Sequence, residues 1–108
     1  MISRIVSCNI KPEKIREFRN TLKSEVLPAI TRQPGFVDLV ESIDDGSGTF
    51  VCTTLWNTRQ DVEHYDQTLF PEIAQKLVPL LNGQPDIKTL MVENSTVHEI
   101  RSGQSAAA

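Results

Sequence analysis

The sequence predicts a single α+β domain of the ferredoxin-like type, with the element order βαββαβ and an antiparallel sheet. Three observations support this fold class. Runs with apolar residues on alternate positions predict four strands, and two stretches with apolar residues three and four positions apart predict helices between them. Clusters of Gly, Pro, Asn and Asp separate these segments. By analogy with this fold, both helices pack on one face of a sheet with strand order 4-1-3-2.

The first strand is predicted at residues 2–10, where alternation gives one clearly apolar face and one mixed face. A helix then begins at Pro12, because the first turn of a helix does not need the N–H that proline lacks. Its apolar stripe is continuous at three- and four-residue spacing. Pro28 is expected to bend this helix or to end its regular part around Val26 or Leu27.

The second and third strands are predicted at residues 36–43 and 49–56. The loop between them, 44–48, contains the residue types that tolerate left-handed backbone, which predicts a hairpin. Thr58 then starts the second helix as its N-cap. Asp61, three residues later, completes a start that resembles a capping box.

The second helix is predicted in two parts, because Pro71 interrupts it, and its C-cap is predicted at residues 82–83. A final extended segment runs from residue 87 to about residue 100. The domain is therefore assigned to residues 1–100. Residues 101–108 are expected to form a flexible C-terminal tail, because 102–108 are mostly small residues.

Several predicted strands carry apolar side chains on both faces, although the helices can cover only one of them. Ile5 lies beside Val6, and Val51 and Leu55 alternate with other apolar residues of the third strand. A second apolar face must also be buried, and the simplest way to bury it is to pack it against the same face of another copy of the chain. The sequence therefore predicts a two-fold homodimer with its sheets packed face to face.

Charge and composition argue against several classes of partner. The net charge is −3, and no block of Lys and Arg interleaves with aromatic residues, so nucleic-acid binding is not expected. No apolar run approaches the ~20 residues that span a bilayer, and the N-terminus leaves no room for a signal peptide. The expected location is therefore cytoplasmic, with no membrane partner.

Two cysteines lie on strands that are central neighbours in this fold. Cys8 and Cys52 could therefore approach each other, although no electropositive neighbourhood is visible that would activate a thiol. In a reducing compartment they are interpreted as small buried apolar residues. The two histidines are far apart, and no Cys/His cluster has ligand spacing, so no metal is expected.

The strand–helix junction after the third strand contains the candidate site. Trp56 offers an apolar wall and an indole N–H, but it is equally a large core residue. Tyr65 lies on the inward stripe and either orients a substrate through its hydroxyl or packs as a core aromatic. His64 is the candidate general base. It lies about 100° from Tyr65 around the helix, so a solvated position is the alternative.

Several motifs together make the chain resemble the antibiotic biosynthesis monooxygenase family of dimeric α/β barrels, over essentially residues 2–100. They are the Gln-Pro-Gly-Phe run at 33–36, the Leu-Trp-Asn-Thr run at 55–58, the His-Tyr pair at 64–65 and the Phe-Pro-Glu-Ile run at 70–73. The resemblance implies a dimeric barrel. It also implies one of several activities, including oxidation of phenolic or quinol-like compounds without a cofactor and degradation of haem.

The family's best-known catalytic spacings are not reproduced in this chain. The haem-degrading members pair a strand-one Asn with the strand-three Trp and a helix His ten residues later. Ten residues after Trp56 stands Asp66, and Asn9 lies close to the end of its strand. Val62 stands where the phenol-oxidising members are expected to carry a Tyr. No cofactor is therefore expected.

Two functions follow as hypotheses. The first is a cofactor-independent monooxygenase that oxidises a small aromatic, quinol-like compound in a cleft between the sheet and the helices. In it Trp56 and Tyr65 bind the substrate, and His64 and Tyr65 are catalytic. The second is a non-catalytic homodimer of the same fold that binds a small aromatic or apolar ligand.

Overall fold

A computed structural model of the chain describes residues 1–98. The strands and helices are β1 (Ile2–Asn9), α1 (Ile15–Thr21), α2 (Leu27–Ile30), β2 (Phe36–Ile43), β3 (Thr49–Trp56), α3 (Arg59–Thr68), α4 (Phe70–Leu77) and β4 (Asp86–Met91). This order confirms the predicted α+β, ferredoxin-like fold. The expected flexible tail, 101–108, lies outside the described residues.

The four strands form one antiparallel sheet in the order β2-β3-β1-β4, which is the order taken by analogy from the fold. In the two central strands Ile2 pairs with Trp56, and Cys8 pairs with Phe50. A register shift between Phe36 and Asp38 marks a bulge at the start of β2. Because directly paired residues share a face, this register assigns every strand residue to one side of the sheet.

The first helical run is less regular than its apolar stripe predicts. A 3₁₀ turn at Pro12–Lys14 leads into α1, and a π-helical segment at Leu22–Val26 joins α1 to α2. The regular α-helix therefore ends earlier than expected, and the helical run continues through Pro28 to Ile30. The hydrogen-bond register changes just ahead of Pro28, where the missing N–H would interrupt an α-helical ladder.

The second helical run has the predicted start and the predicted break. The Thr58 hydroxyl accepts a hydrogen bond from the Asp61 backbone N–H at 3.1 Å, so Thr58 is the N-cap of α3. Leu69 separates α3 from α4, and Pro71 stands in the first turn of α4, where its missing N–H costs nothing. Gly83 follows the run with φ 81°, the left-handed conformation expected beyond a helix end.

The core lies between the sheet and the helices. We call this side of the sheet the helix face, and it carries Ile2, Arg4, Cys8, Phe50, Thr54 and Trp56, all of them buried. The opposite side is the open face, which carries Ile5, Val40, Val51, Leu55 and Leu90. Val40 is 60% exposed and Leu90 is 49% exposed, so apolar surface is present there.

The chain after β4 covers one end of the open face. Residues 91–95 line a groove with Ser3 and Leu55, and His98 Nε2 lies 3.2 Å from Asp38 Oδ2 on β2. Val51, at the other end of the open face, is half-buried within the described residues. Within residues 1–98, no helix combines the length and the apolar character needed to cross a membrane.

Candidate functional site

Trp56 and Tyr65 form a stacked pair in the layer between the sheet and α3. Their ring centroids are 4.9 Å apart with the planes tilted by 33°. Trp56 is 0% exposed, and its indole Nε1 donates a hydrogen bond of 2.8 Å to Thr54 Oγ1. Since this donor is already engaged, Trp56 contributes an apolar wall rather than a hydrogen bond to a ligand.

The Tyr65 hydroxyl is held in its neutral form. Burial raises the pKa of Tyr65 well above its ordinary value, although the nearby Arg4 guanidinium opposes this shift. A neutral phenol donates a hydrogen bond but takes up no proton at physiological pH. Tyr65 can therefore orient a bound oxygen atom, whereas it is a poor general base.

His64 lies apart from the aromatic pair. It is exposed on the outer side of α3, and its backbone carbonyl accepts a hydrogen bond of 2.7 Å from the Thr68 hydroxyl. The angular offset between neighbouring helix positions explains this, because Val62 and Tyr65 are the buried residues of α3. The structure thus brings Trp56 and Tyr65 together and leaves His64 outside. The catalytic role of His64 stays a prediction.

Arg4 is a charged residue of the site that the sequence reasoning missed. It is 3% exposed on the helix face, and its Cζ atom lies 4.3 Å from the ring centroid of Phe70 and 5.1 Å from that of Tyr65. Its Nε donates to Asp66 Oδ1 at 2.9 Å. The sequence contains an indication that Arg4 is buried, since position 4 has the same parity as the apolar positions 2, 6 and 8 of the first strand.

The ion pair leaves part of the Arg4 guanidinium unsatisfied. Nη2 also lies 2.9 Å from Asp66 Oδ1, which is ion-pair distance, but no acceptor is aligned with its N–H groups. One carboxylate oxygen therefore serves two nitrogens, and only the bond from Nε has hydrogen-bond geometry. The result is a buried cation beside two aromatic rings, with hydrogen-bonding capacity left over.

A small apolar cavity lies between the sheet and the helices, and we call it the central cavity. Its walls include Val6, Cys8, Phe18, Phe50, Phe70 and Ile73. Its free volume is about 40 Å³, compared with the ~10–15 Å³ that one water needs. The central cavity therefore has the size and the lining for a diatomic molecule such as dioxygen.

A larger space opens at the β2 edge of the sheet, and we call it the β2 groove. It has a volume of about 410 Å³ and lies between β2 and the first helical run. Leu22, Leu27, Ile43 and Phe50 give it apolar walls, and Glu41 lies among them. Phe50 belongs to the walls of both spaces, so one aromatic side chain lies between the groove and the cavity.

The two cysteines lie on the helix face, on neighbouring strands and diagonal to each other. Cys52 pairs with Val6, and Cys8 pairs with Phe50. Both are free thiols. Burial raises the pKa of the Cys8 thiol to about 11 and that of the Cys52 thiol to about 12. Because the thiolate is the reactive form, both behave as apolar core residues.

The residues at the haem-ligand spacing do not fit haem. Asp66 is committed to the Arg4 guanidinium, and Asn9 is exposed at the end of β1, where its side-chain oxygen accepts a 3.3 Å hydrogen bond from Thr49. A carboxylate bound to a buried arginine offers no imidazole for iron. Residues 1–98 contain no group of three or more His, Cys, Asp or Glu placed to hold a metal ion.

Comparison with known proteins agrees with this fold. A family model described as antibiotic biosynthesis monooxygenase matches residues 1–78. A conserved protein from Methanosarcina mazei is 22% identical, with a TM-score of 0.71 over 82% of this chain and 88% of that one. No curated protein sequence matches the chain significantly.

Two further solved structures have oxygenase descriptions. A monooxygenase from the gene ActVA-Orf6 of Streptomyces coelicolor, in complex with Nanaomycin D, is 17% identical, with a TM-score of 0.72 over 87% of this chain and 88% of that one. A variant of SnoaB, a cofactor-independent oxygenase from Streptomyces nogalater, is 16% identical, with a TM-score of 0.71 over 88% of this chain and 95% of that one. At these identities the similarity establishes the fold.

Proposed function

The chain belongs to the antibiotic biosynthesis monooxygenase family, and on that premise we propose that it is a monooxygenase that needs no cofactor. Its substrate is a small aromatic, quinol-like compound bound between the sheet and the helices. The observation that carries this proposal is the small apolar central cavity, which adjoins the layer of buried aromatic residues. Such a space admits dioxygen and keeps water away from reactive intermediates.

The reaction needs no external reductant, because the substrate supplies all the electrons. A phenol first loses its hydroxyl proton, and the phenolate passes one electron to dioxygen. The resulting radical and superoxide combine to form a carbon–oxygen bond. Protonation of the resulting peroxide, followed by loss of the ring hydrogen as a proton, breaks the oxygen–oxygen bond and releases hydroxide. The phenol and one dioxygen thus become a quinone and one water, with one oxygen atom added to a ring carbon.

Within this scheme the aromatic pair binds and orients the substrate. Trp56 supplies the wall, and the neutral Tyr65 hydroxyl donates a hydrogen bond to a substrate oxygen. Arg4 lies beside Tyr65 and Phe70, where its positive charge stabilises the phenolate and the superoxide as they form. The predicted base His64 is exposed, so its participation requires that the substrate reach the outer side of α3.

We further propose that the chain forms a homodimer through the open face, with no nucleic-acid or membrane partner, and works in the cytoplasm. Val40 and Leu90 are large apolar side chains left exposed on this face. The segment after β4 covers the end that contains Leu55. A second copy would therefore pack mainly on the opposite end, around Val51.

Oxygen consumption by purified, metal-free protein tests the catalytic proposal. The substrates are a panel of small phenols and hydroquinones, and absorbance after addition of haem is recorded on the same preparation. Oxygen uptake with stoichiometric quinone formation supports the proposal, and weaker substrate binding by Tyr65→Phe would place the substrate at the aromatic pair. Absence of uptake with every compound would refute the oxygenase function and leave a dimer that binds a small apolar ligand.

A further inference from the structure

The β2 groove contains a carboxylate in an unusual setting. Glu41 pairs with Cys52 in the β2–β3 register, and Cys52 shares the helix face with Cys8. The Glu41 side chain therefore points toward the helices and away from the open face. Because β2 is an edge strand, this side chain lies at the mouth of the layer between the sheet and the helices.

The surroundings of Glu41 are mainly apolar. Leu22 and Leu27 face it from the first helical run, and Ile43 and Phe50 flank it on the sheet. Burial raises the pKa of the Glu41 carboxyl above its usual value of 4.5. Within residues 1–98, no cation lies at ion-pair distance from this carboxylate. An acceptor without a partner is thus held at the edge of an apolar space.

Other titratable groups also face the groove. Arg19 and Lys23 lie on the helical side, and Arg19 forms an ion pair with Asp45. Cys52 lies beside Glu41 on the sheet, and its thiol is neutral at physiological pH because burial raises its pKa to about 12. Glu41 is therefore the group on the sheet side of the groove that is placed to accept a proton from a ligand.

We propose that Glu41 is the general base of the reaction and that the β2 groove, which Trp56, Tyr65 and Arg4 do not line, is the substrate site in place of the buried aromatic pair. This inference rests on the proposed function. The groove, at about 410 Å³, has the capacity for a substituted aromatic ring, whereas the central cavity, at about 40 Å³, does not. The substrate ring packs against Phe50, and dioxygen occupies the cavity on the other side of that residue.

The chemistry assigned to Glu41 is one proton transfer. The substrate O–H bond breaks, its proton moves to a Glu41 carboxylate oxygen, and the electron pair stays on the phenolate oxygen. Burial suits the carboxylate for this role, since a base works best when its pKa approaches the working pH. The proton returns to solvent through the open mouth of the groove after each turnover.

Glu41→Gln tests the assignment because it preserves shape and removes the base. Glu63→Gln is the matched control, since Glu63 is an exposed carboxylate on α3. Hydroquinone binding is measured without oxygen by equilibrium dialysis, and turnover is measured as oxygen uptake between pH 4.5 and pH 9. Far-ultraviolet circular dichroism establishes that each variant is folded.

In the expected result Glu41→Gln binds hydroquinone nearly as well as the wild type, while kcat falls by about 100-fold or more. The pH–rate profile of Glu41→Gln also loses its acidic limb, which is the fall in rate at low pH as the base becomes protonated. Glu41→Asp, which keeps a carboxylate, retains that limb with a reduced kcat. Undiminished turnover in Glu41→Gln would overturn the base assignment alone. Absence of turnover in the wild type would overturn the proposed function as well.

Discussion

The buried ion pair between Arg4 and Asp66 gives the sharpest test of what holds α3 on the sheet. Arg4 is 3% exposed, and its Nε and Nη2 both lie 2.9 Å from one oxygen of Asp66. The perturbations are Asp66→Asn, which removes the negative charge with little change of shape, and Arg4→Met, which replaces the cation with an apolar chain. The two changes are also combined.

The expected magnitudes differ because the two partners differ in exposure. Breaking a fully buried pair by removing one partner costs about 3–5 kcal/mol. The Asp66 side chain is 39% exposed, so water screens part of this, and we expect Asp66→Asn to cost roughly 2 kcal/mol. Arg4→Met leaves Asp66 free to be solvated and keeps a side chain under Phe70. Its cost should stay within about 1 kcal/mol, the contribution of the lost cation–π contacts.

Urea unfolding of the three variants and the wild type, at one protein concentration, gives the four free energies of unfolding. The combined variant should be nearly as stable as Arg4→Met alone, which corresponds to a coupling of roughly 2 kcal/mol. The reasoning would be refuted if Arg4→Met were the more damaging single change. In that case the packing of the guanidinium, and not its pairing with Asp66, would be the main contribution of Arg4 to the free energy of unfolding.

Further predictions address the dimer, a backbone contact and a buried phenol. Val51→Asp on the open face should yield monomer or aggregate in size-exclusion chromatography with light scattering, and its effect should exceed that of Leu55→Asp. An unfolding midpoint independent of protein concentration would contradict an obligate dimer. Gly35 has φ +79°, and a Cβ there would lie 2.1 Å from the Asp61 carboxylate. Gly35→Ala should therefore lower the free energy of unfolding by more than the ~1–2 kcal/mol of left-handed strain, and an unchanged urea midpoint would exclude this. Burial raises the pKa of Tyr65, so the neutral side chain stabilises the fold fully below pH 10, the ordinary pKa of tyrosine. This stabilisation is lost as the pH rises further, because the unfolded chain releases the proton first. Tyr65→Phe should reduce the loss of stability at alkaline pH, and an identical loss in wild type and variant would contradict this.

Sequence periodicity predicts most of the elements because each one depends on local spacing, although β4 ends at Met91, short of the segment predicted to about residue 100. The Thr58 cap and the Pro71 break were both predicted, since they act within one turn of a helix. The exposed position of His64 was also among the weighed alternatives, because helical geometry separates it from Tyr65. Burial of Arg4 was not predicted. The parity of position 4 indicates the helix face, but the ion-pair partner Asp66 is 62 positions away, and no local pattern connects the two residues.

The candidate site was harder to predict for the same reason. Glu41 lies on β2, where apolar residues occupy both odd and even positions, so alternation does not assign it to a face. Only the pairing with Cys52 shows which face it occupies. The cover on the open face was missed as well. His98 reaches Asp38 across 60 positions, so the end of the chain reduces the apolar surface that the strands alone would expose.

Asp66 also explains why this chain departs from the haem-degrading members of the family it resembles. A change of Asp66 to His would supply the imidazole at the right spacing, but it would remove the carboxylate that compensates Arg4. An uncompensated buried cation is more costly than the pair it replaces, and it would repel a second positive charge on the histidine. Loss of Arg4 would therefore have to accompany the gain of a haem ligand. The pair that holds α3 against β1 thus leaves position 66 without an imidazole that could bind haem.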